Sequence, residues 1–276
     1  MAAVRVLGRA DRGLAAALVD ADPVVHSFVA SRLDAGVLEP HIAGELWGYP
    51  AERPRALVHV GANLVPVGGD AEASRAFAER MGPARPFCAI VGPREEVLGL
   101  WRALADAWGP AYARVRAVRE RQPLLAADAV CPVPEDPRLV QITPEHLASY
   151  FDAAVAMYTE ELDENPLQTN PHGYRRHVRS LIDSGRAYGI VEDGEVVFKA
   201  DVGAVGHGVA QVQGVWLHPR LRGRGLAAPA MAAVTNRVVR SGRVAALYVN
   251  DFNAPARATY ARCGYTERGV FTTVLY

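Results

Sequence analysis

The run Val215-Trp-Leu-His-Pro-Arg-Leu-Arg-Gly-Arg-Gly-Leu-Ala227 passes from an apolar stretch to two glycines among three arginines, then into a helical pattern. It reads as a strand, a turn and the start of a helix. Glycine lets the main chain approach a ligand closely, the first helical N–H groups have no partner, and the helix dipole is positive at that end. Such a turn suits a pyrophosphate, with the arginines adding outer positive charge. Two other readings of the same residues compete. The loop could be a plain glycine-bearing surface turn. Gly223-x-Gly225-x-x-Ala228 also matches a dinucleotide fingerprint, but that motif sits directly at a strand end with an acidic residue about 20 positions on. Here His218 to Arg222 intervene, and the later region is Ser241-Gly-Arg-Val-Ala245.

Outward from this turn, the second half is well patterned. Leu139 to Ile142 reads as a short strand. Thr143 and Pro144 open a helix with Leu147, Tyr150, Phe151, Ala154 and Met157 on one face. A polar loop, Glu160 to Gly173, leads to a helix near Tyr174 to Ile182. Strands Ala187 to Val191 and Glu195 to Val202 flank an Asp193-Gly194 hairpin turn, and Gly208 to Leu217 is a third strand. After the glycine-rich turn come a helix from Leu226 to Arg240, a strand Val244 to Val249, a helix opened by Asn253 and Pro255 and ended by Gly264, and two short strands, Thr266 to Val270 and Thr272 to Tyr276.

The first half has a similar rhythm without the glycine-rich turn. It shows a helix near Asp22 to Leu33, strands at Gly44 to Tyr49 and Arg55 to Pro66, a helix at Ala71 to Met81, a strand at Pro86 to Val91 and a helix at Glu95 to Trp108. Pro123, Pro132, Pro134 and Pro137 concentrate between the halves. We expect domains at 1–125 and 138–276 joined by a Pro-rich linker at 126–137. Strands before, between and after helices give a mixed α/β (α+β) fold.

Composition narrows the function classes. In 276 residues, 30 basic side chains balance 30 acidic ones, so neither nucleic acid nor an anionic membrane is expected as the main partner. Lys199 is the only lysine and follows Phe198, which excludes a Walker phosphate loop. By alternation it shares a strand face with Asp201, and the two read as an ion pair. Cys88, Cys131 and Cys263 form no CxxC and no His cluster accompanies them, so no disulfide framework and no metal site is expected, and a reducing cytoplasm fits. No apolar run approaches the roughly 18 residues of a membrane span, and Leu14 to Val19 is too short for a signal-peptide core.

Downstream of the turn lie Leu247-Tyr-Val-Asn-Asp-Phe-Asn253, Ala256, Tyr260 and Gly264-Tyr265. With these in place, residues 138 to 276 resemble the GCN5-related N-acetyltransferase (GNAT) superfamily. Its V-x-x-x-x-R-G-x-G-x-G/A turn binds the pyrophosphate of coenzyme A, and its N-x-x-A-x-x-x-Y-x-x-x-G-F/Y helix lies beside the pantetheine arm. The whole chain resembles an actinobacterial subgroup with an extra N-terminal domain of uncharacterised function, and we expect two tandem GNAT-like mixed-sheet domains, the second a complete acyl-CoA-binding fold.

The resemblance implies acetyl-CoA as acyl donor, held by Arg222, Gly223, Arg224, Gly225, Leu226 and Ala227 at the pyrophosphate. It implies Val215, Trp216 and Leu217 along the pantetheine, and Asn253 and Tyr260 beside it. It also implies transfer of an acetyl group to a small-molecule or peptide amine, with Tyr260 as general acid. Many members place a glutamate on the strand that here reads Gln211-Val-Gln213-Gly-Val-Trp-Leu, without a carboxylate. Glu160 and Glu161, entering the polar loop, are the candidates for the base. The first half is expected to bind no cofactor in this mode and to shape the acceptor pocket or mediate homo-oligomerisation. Two alternatives stand beside this reading: a non-catalytic acyl-CoA sensor, and a specialised tandem transferase resembling mycothiol synthase or the aminoacyl-tRNA-dependent transferases.

Overall fold

Local chemistry starts and stops the elements where the sequence carries the corresponding signals. Asp70 caps one helix by accepting the Ala73 N–H at 2.8 Å. Asp193 and Gly194 both take positive φ, 50° and 81°, as a tight hairpin turn demands. Gly264, at φ 85°, ends the last helix.

The computed structural model describes residues 3–276. The first half runs β1 (Arg5–Val6), α1 (Arg12–Val19), α2 (Ser27–Asp34), β2 (Glu45–Tyr49), β3 (Ala56–Val60), β4 (Asn63–Val67), α3 (Ala71–Met81), β5 (Ala89–Pro93), α4 (Arg94–Trp108), α5 (Pro110–Ala113) and β6 (Ala117–Ala127). The second runs β7 (Val140–Gln141), α6 (Leu147–Leu162), α7 (Pro166–Thr169), α8 (Pro171–Asp183), β8 (Ala187–Glu192), β9 (Glu195–Gly206), β10 (Val209–Leu217), α9 (Ala227–Arg240), β11 (Val244–Tyr248), α10 (Ala254–Arg262) and β12 (Thr266–Leu275).

All strands among the described residues lie in one sheet, ordered β1-β2-β3-β4-β5-β12-β6-β11-β10-β9-β8-β7. The two halves interlock at its centre. β12, from the end of the chain, pairs with β5 and β6, while β6 pairs with β12 and β11. Each half thus completes its sheet with the last strand of the other. Helices cover both faces: along β3, Leu57 joins the core under α1 and α2, whereas the next residue, Val58, joins the core under α3 and α4. The second half repeats this with α9 and α10 on one face and α6 and α8 on the other.

Several boundaries differ from the pattern in the sequence. Residues 126 and 127, placed in the linker, are the end of β6. Gln122 to Ala127 are buried without alternation, so the strand carries no period-2 signal. The remainder of that segment is tied down. The Cys131 N–H donates to Asn236 Oδ1 at 2.7 Å, and the Asp136 N–H to the Pro229 carbonyl at 3.0 Å. Arg55 to Pro66 is a hairpin of two strands. The last two expected strands are one, β12, with register shifts at Glu267/Gly269 and Phe271/Thr273. Among the described residues no helix is long and apolar enough to cross a membrane.

Candidate functional site

β10 and β11 are parallel neighbours for three residue pairs only, from Val209 with Val244 to Gln211 with Ala246. Beyond these β10 continues beside β9 and β11 beside β6, so the two strands part. The register between β9 and β10 slips between Gln213 and Trp216, leaving Gly214 and Val215 outside the ladder in a bulge. Gly214 takes φ +57°, and a Cβ there would lie 2.7 Å from Asp201 Oδ2 and 2.8 Å from Lys199 Nζ. Glycine is required on both counts.

Beneath the bulge sits the only lysine. Lys199 is fully buried and paired with Asp201 at 2.7 Å, as alternation along the strand implied. It also donates to the Gly214 carbonyl at 2.8 Å, so the pair pins the bulge. The Tyr150 hydroxyl donates to the other Asp201 oxygen. Burial, and then Asp201, push that phenol far above its ordinary pKa.

The glycine-rich turn follows directly. Gly223 and Gly225 adopt φ 73° and 77°, and a Cβ on either would meet nothing within 4 Å, so the outer side of the turn is open. α9 starts at Ala227 with no side-chain cap. The N–H groups of Gly223 to Ala227 donate to no acceptor among the described residues. They form the donor set an anion needs at a helix start. Arg220 pairs with Glu195 at 2.9 Å. Arg222 turns back, its guanidinium donating to the Leu217 carbonyl at 2.9 Å and to Glu160 at 2.7 Å, and its N–H donating to the Pro219 carbonyl at 3.2 Å. Arg224 is the arginine of the turn without a carboxylate partner among the described residues.

Glu160 and Glu161, adjacent in sequence, have different surroundings. Glu160 accepts from Arg222 through Oε2 and from the Trp216 indole through Oε1, at 3.1 Å, strapping the end of α6 to β10. Glu161 points elsewhere. Its carbonyl accepts from Arg119 Nη2 at 2.5 Å, and its Oε1 from Nη1 at 3.2 Å. Its negative charge acts on phenols from three elements, Tyr174 on α8, Tyr248 on β11 and Tyr260 on α10. Burial, then Glu161, push Tyr248 up to about 12. Tyr248 lies 5.4 Å from the Phe271 ring.

α10 is capped by Asn253, whose Oδ1 accepts the Ala256 N–H at 3.2 Å. Tyr260 is buried in the core against which Val215, Leu217 and Leu226 pack, and its hydroxyl has no hydrogen-bond partner among the described residues. Burial first and Glu161 second raise its pKa well above that of a free phenol, keeping it protonated. Cys263, near the end of the same region, is a buried thiol pushed up to about 12 by burial and then Cys131.

The corresponding turn of the first half is occupied by the chain itself. β4 and β5 also part after two residue pairs. There, however, Glu96 on α4 accepts the Gly69 N–H at 3.5 Å, and Asp70 caps α3. Burial raises the Glu96 pKa, and main-chain N–H groups of Gly69 and Gly68 oppose the rise. Two carboxylates stand where a phosphate would bind. Titration calorimetry is therefore expected to give one equivalent of acetyl-CoA per chain; two equivalents would contradict this account.

Residues 151–265 match the family model described as acetyltransferase (GNAT) family, and residues 44–150 match a domain of unknown function, DUF4081. The chain carries a GNAT acetyltransferase domain. Solved structures extend the likeness over its whole length. A GNAT-family acetyltransferase from Colwellia psychrerythraea is 11% identical, with 99% of each chain covered and a TM-score of 0.62. A Drosophila protein is 14% identical, covering 100% of this chain and 99% of its own, at 0.68. A tandem GNAT protein from the clavulanic acid biosynthesis pathway is 17% identical, covering 98% and 97%, at 0.52. At these identities the likeness is one of fold: two GNAT-like regions in a mixed α/β architecture. No curated protein matches the chain. GNAT proteins generally use acetyl-CoA, and among the described residues no group of His, Cys, Asp or Glu is arranged to hold a metal.

Of the residues named from the sequence, Val215, Leu217 and Leu226 pack against the core that contains Tyr260, whereas the Trp216 side chain is buried in the core under α6 and α8 and bonds Glu160. Asn253 caps the helix that carries Tyr260. Arg119 and Tyr248 were not foreseen. Arg119 lies in a strand with no legible period, and Tyr248 is one aromatic in an apolar run.

Proposed function

We propose that this chain transfers an acetyl group from acetyl-CoA to a primary amine by direct attack, in the cytoplasm. The observation that carries the reading is the Tyr260 phenol, raised in pKa by burial and without a hydrogen-bond partner, in the core against which Val215 and Leu217 of the parted strand pack. In this reading the amides of Gly223 to Ala227 hold the pyrophosphate, with Arg224 adding charge. Val215, Trp216 and Leu217 line the pantetheine, and Asn253 offers its Nδ2, since its Oδ1 caps the helix. Acetyl-CoA supplies the thioester.

An amine of pKa about 10 is mostly protonated at neutral pH and must lose a proton before it can attack. Glu161 accepts that proton; Glu160 is engaged through both oxygens by Arg222 and Trp216. The Val215 N–H, freed by the bulge, polarises the thioester carbonyl. The C–N bond forms, the C–S bond breaks, and Tyr260 gives its proton to the departing sulfur. The second proton leaving the nitrogen restores the phenol through solvent.

A positioned acid or base contributes about 10²- to 10⁴-fold. Tyr260→Phe and Glu161→Gln are each expected to lower kcat at least about 10²-fold, with the acetyl-CoA Kd nearly unchanged. Thiol release would be followed with a panel of ethanolamine, phenethylamine, spermidine, lysine, kanamycin and a peptide N-terminus. An unchanged kcat in Tyr260→Phe ends its role as acid. Tight acetyl-CoA binding with no thiol release on any amine makes the chain an acyl-CoA sensor instead.

A further inference from the structure

We propose that Arg119, supplied by the DUF4081 half, is the positioning residue for the Glu161 carboxylate, so that the acceptor side of the GNAT domain is incomplete without the first half. The proposal rests on the reading of Glu161 as the base. Arg119 falls within residues 44–150 and Glu161 within 151–265, so the contact crosses between the two matched domains.

The geometry is that of a fork closing on one residue. One guanidinium nitrogen takes the Glu161 carbonyl at 2.5 Å and another its Oε1 at 3.2 Å, which fixes both the backbone position and the side-chain rotamer. Glu161 lies in the last turn of α6, where carbonyls lack intrahelical partners and the helix dipole favours a cation. The Arg119 side chain is only 15% exposed, so water competes little for it. Its backbone is held by β12, where Arg119 is in register with Thr273 and the next two residue pairs continue the ladder; β11 pairs with β6 only farther along, from Leu124 to Ala127. A second arginine, Arg116, just before β6 and tied through its N–H to the Leu275 carbonyl at 2.8 Å, pairs with Glu164 at 2.5 Å. The two grip both flanks of the turn at Asp163, which holds a left-handed φ of 52°.

The other groups around Glu161 are the phenols of Tyr174, Tyr248 and Tyr260, and its neighbour Glu160 is bound to Arg222. Arg119 is the cation that pairs with Glu161 among the described residues. Removing it leaves the base in place chemically but free to rotate.

The test is a double-mutant cycle on the full chain, reading thiol release from acetyl-CoA with the most active amine of the panel. Misplacing a catalytic group by about 1 Å can cost as much as 10²-fold. Arg119→Gln is therefore expected to lower kcat about 10- to 100-fold, with acetyl-CoA affinity retained and Arg119→Lys intermediate. In the Glu161→Gln background the same substitution is expected to change kcat less than about twofold. Equal losses in both backgrounds, or wild-type kcat in Arg119→Gln, overturn the proposal while leaving Glu161 as base. A wild-type kcat in Glu161→Gln, or no turnover on any amine, removes the base reading and this proposal together. Should Arg119→Gln fail to bind acetyl-CoA, the cycle is run with Arg119→Lys and judged by the same criterion.

Discussion

Lys199→Met is expected to destabilise the protein by about 3–5 kcal/mol and to weaken acetyl-CoA binding severely. Removing one partner of a buried ion pair leaves the other charge uncompensated, which costs about that much. Here the Asp201 carboxylate would keep the Tyr150 hydroxyl as donor but lose its cation, and the Gly214 carbonyl would lose its donor. For a chain of this size each kcal/mol is worth roughly 2–4 °C, so thermal melts should fall by about 6–20 °C. The double variant Lys199→Met/Asp201→Leu separates the two effects. An apolar pair in that position is often neutral for stability, so melting should recover, whereas binding should not, because nothing then pins the bulge at Gly214 and Val215. A single variant within about 1 kcal/mol of the wild type would mean that the pair is not what holds this region.

Gly225→Trp is expected to abolish acetyl-CoA binding while sparing the fold. The indole would extend into the open space over the N–H groups of the turn, where nothing lies within 4 Å of a Cβ. It would also strain a backbone at φ 77°, a conformation that costs a non-glycine residue about 1–2 kcal/mol. Lost phosphate contacts should weaken binding at least about 10²-fold, equivalent to roughly 2.7 kcal/mol. Calorimetry with acetyl-CoA, beside NAD as control, tests it. Undiminished binding would move the pyrophosphate elsewhere, and binding of NAD alone would restore the dinucleotide reading of the glycines.

How legible the molecule was in its sequence varied from one element to the next. α3 and α4 stood out because an amphipathic stripe needs only local periodicity, and the 223–227 turn because glycine spacing reports backbone geometry directly. β6 was hidden, since a strand buried on both faces has no alternation to read. Glu160 and Glu161 were interchangeable on paper. Which one is tied to Arg222 and Trp216, and which to Arg119, depends on partners 42 to 62 residues away in the chain.

The amino-acid order by itself determined the strand-turn-helix at 215–227, the helix capped by Asn253 that carries Tyr260, the Lys199–Asp201 pair and the doubled rhythm of the chain. Each depends on spacing within a few residues. Tertiary structure alone decided that β6 and β12 exchange places between the halves, that Glu96 plugs the first half's turn, and that Arg119 reaches Glu161. Those contacts arise from strand pairing and helix docking over long loops, where the free energy comes from burial and ladder hydrogen bonds and leaves no period in the sequence.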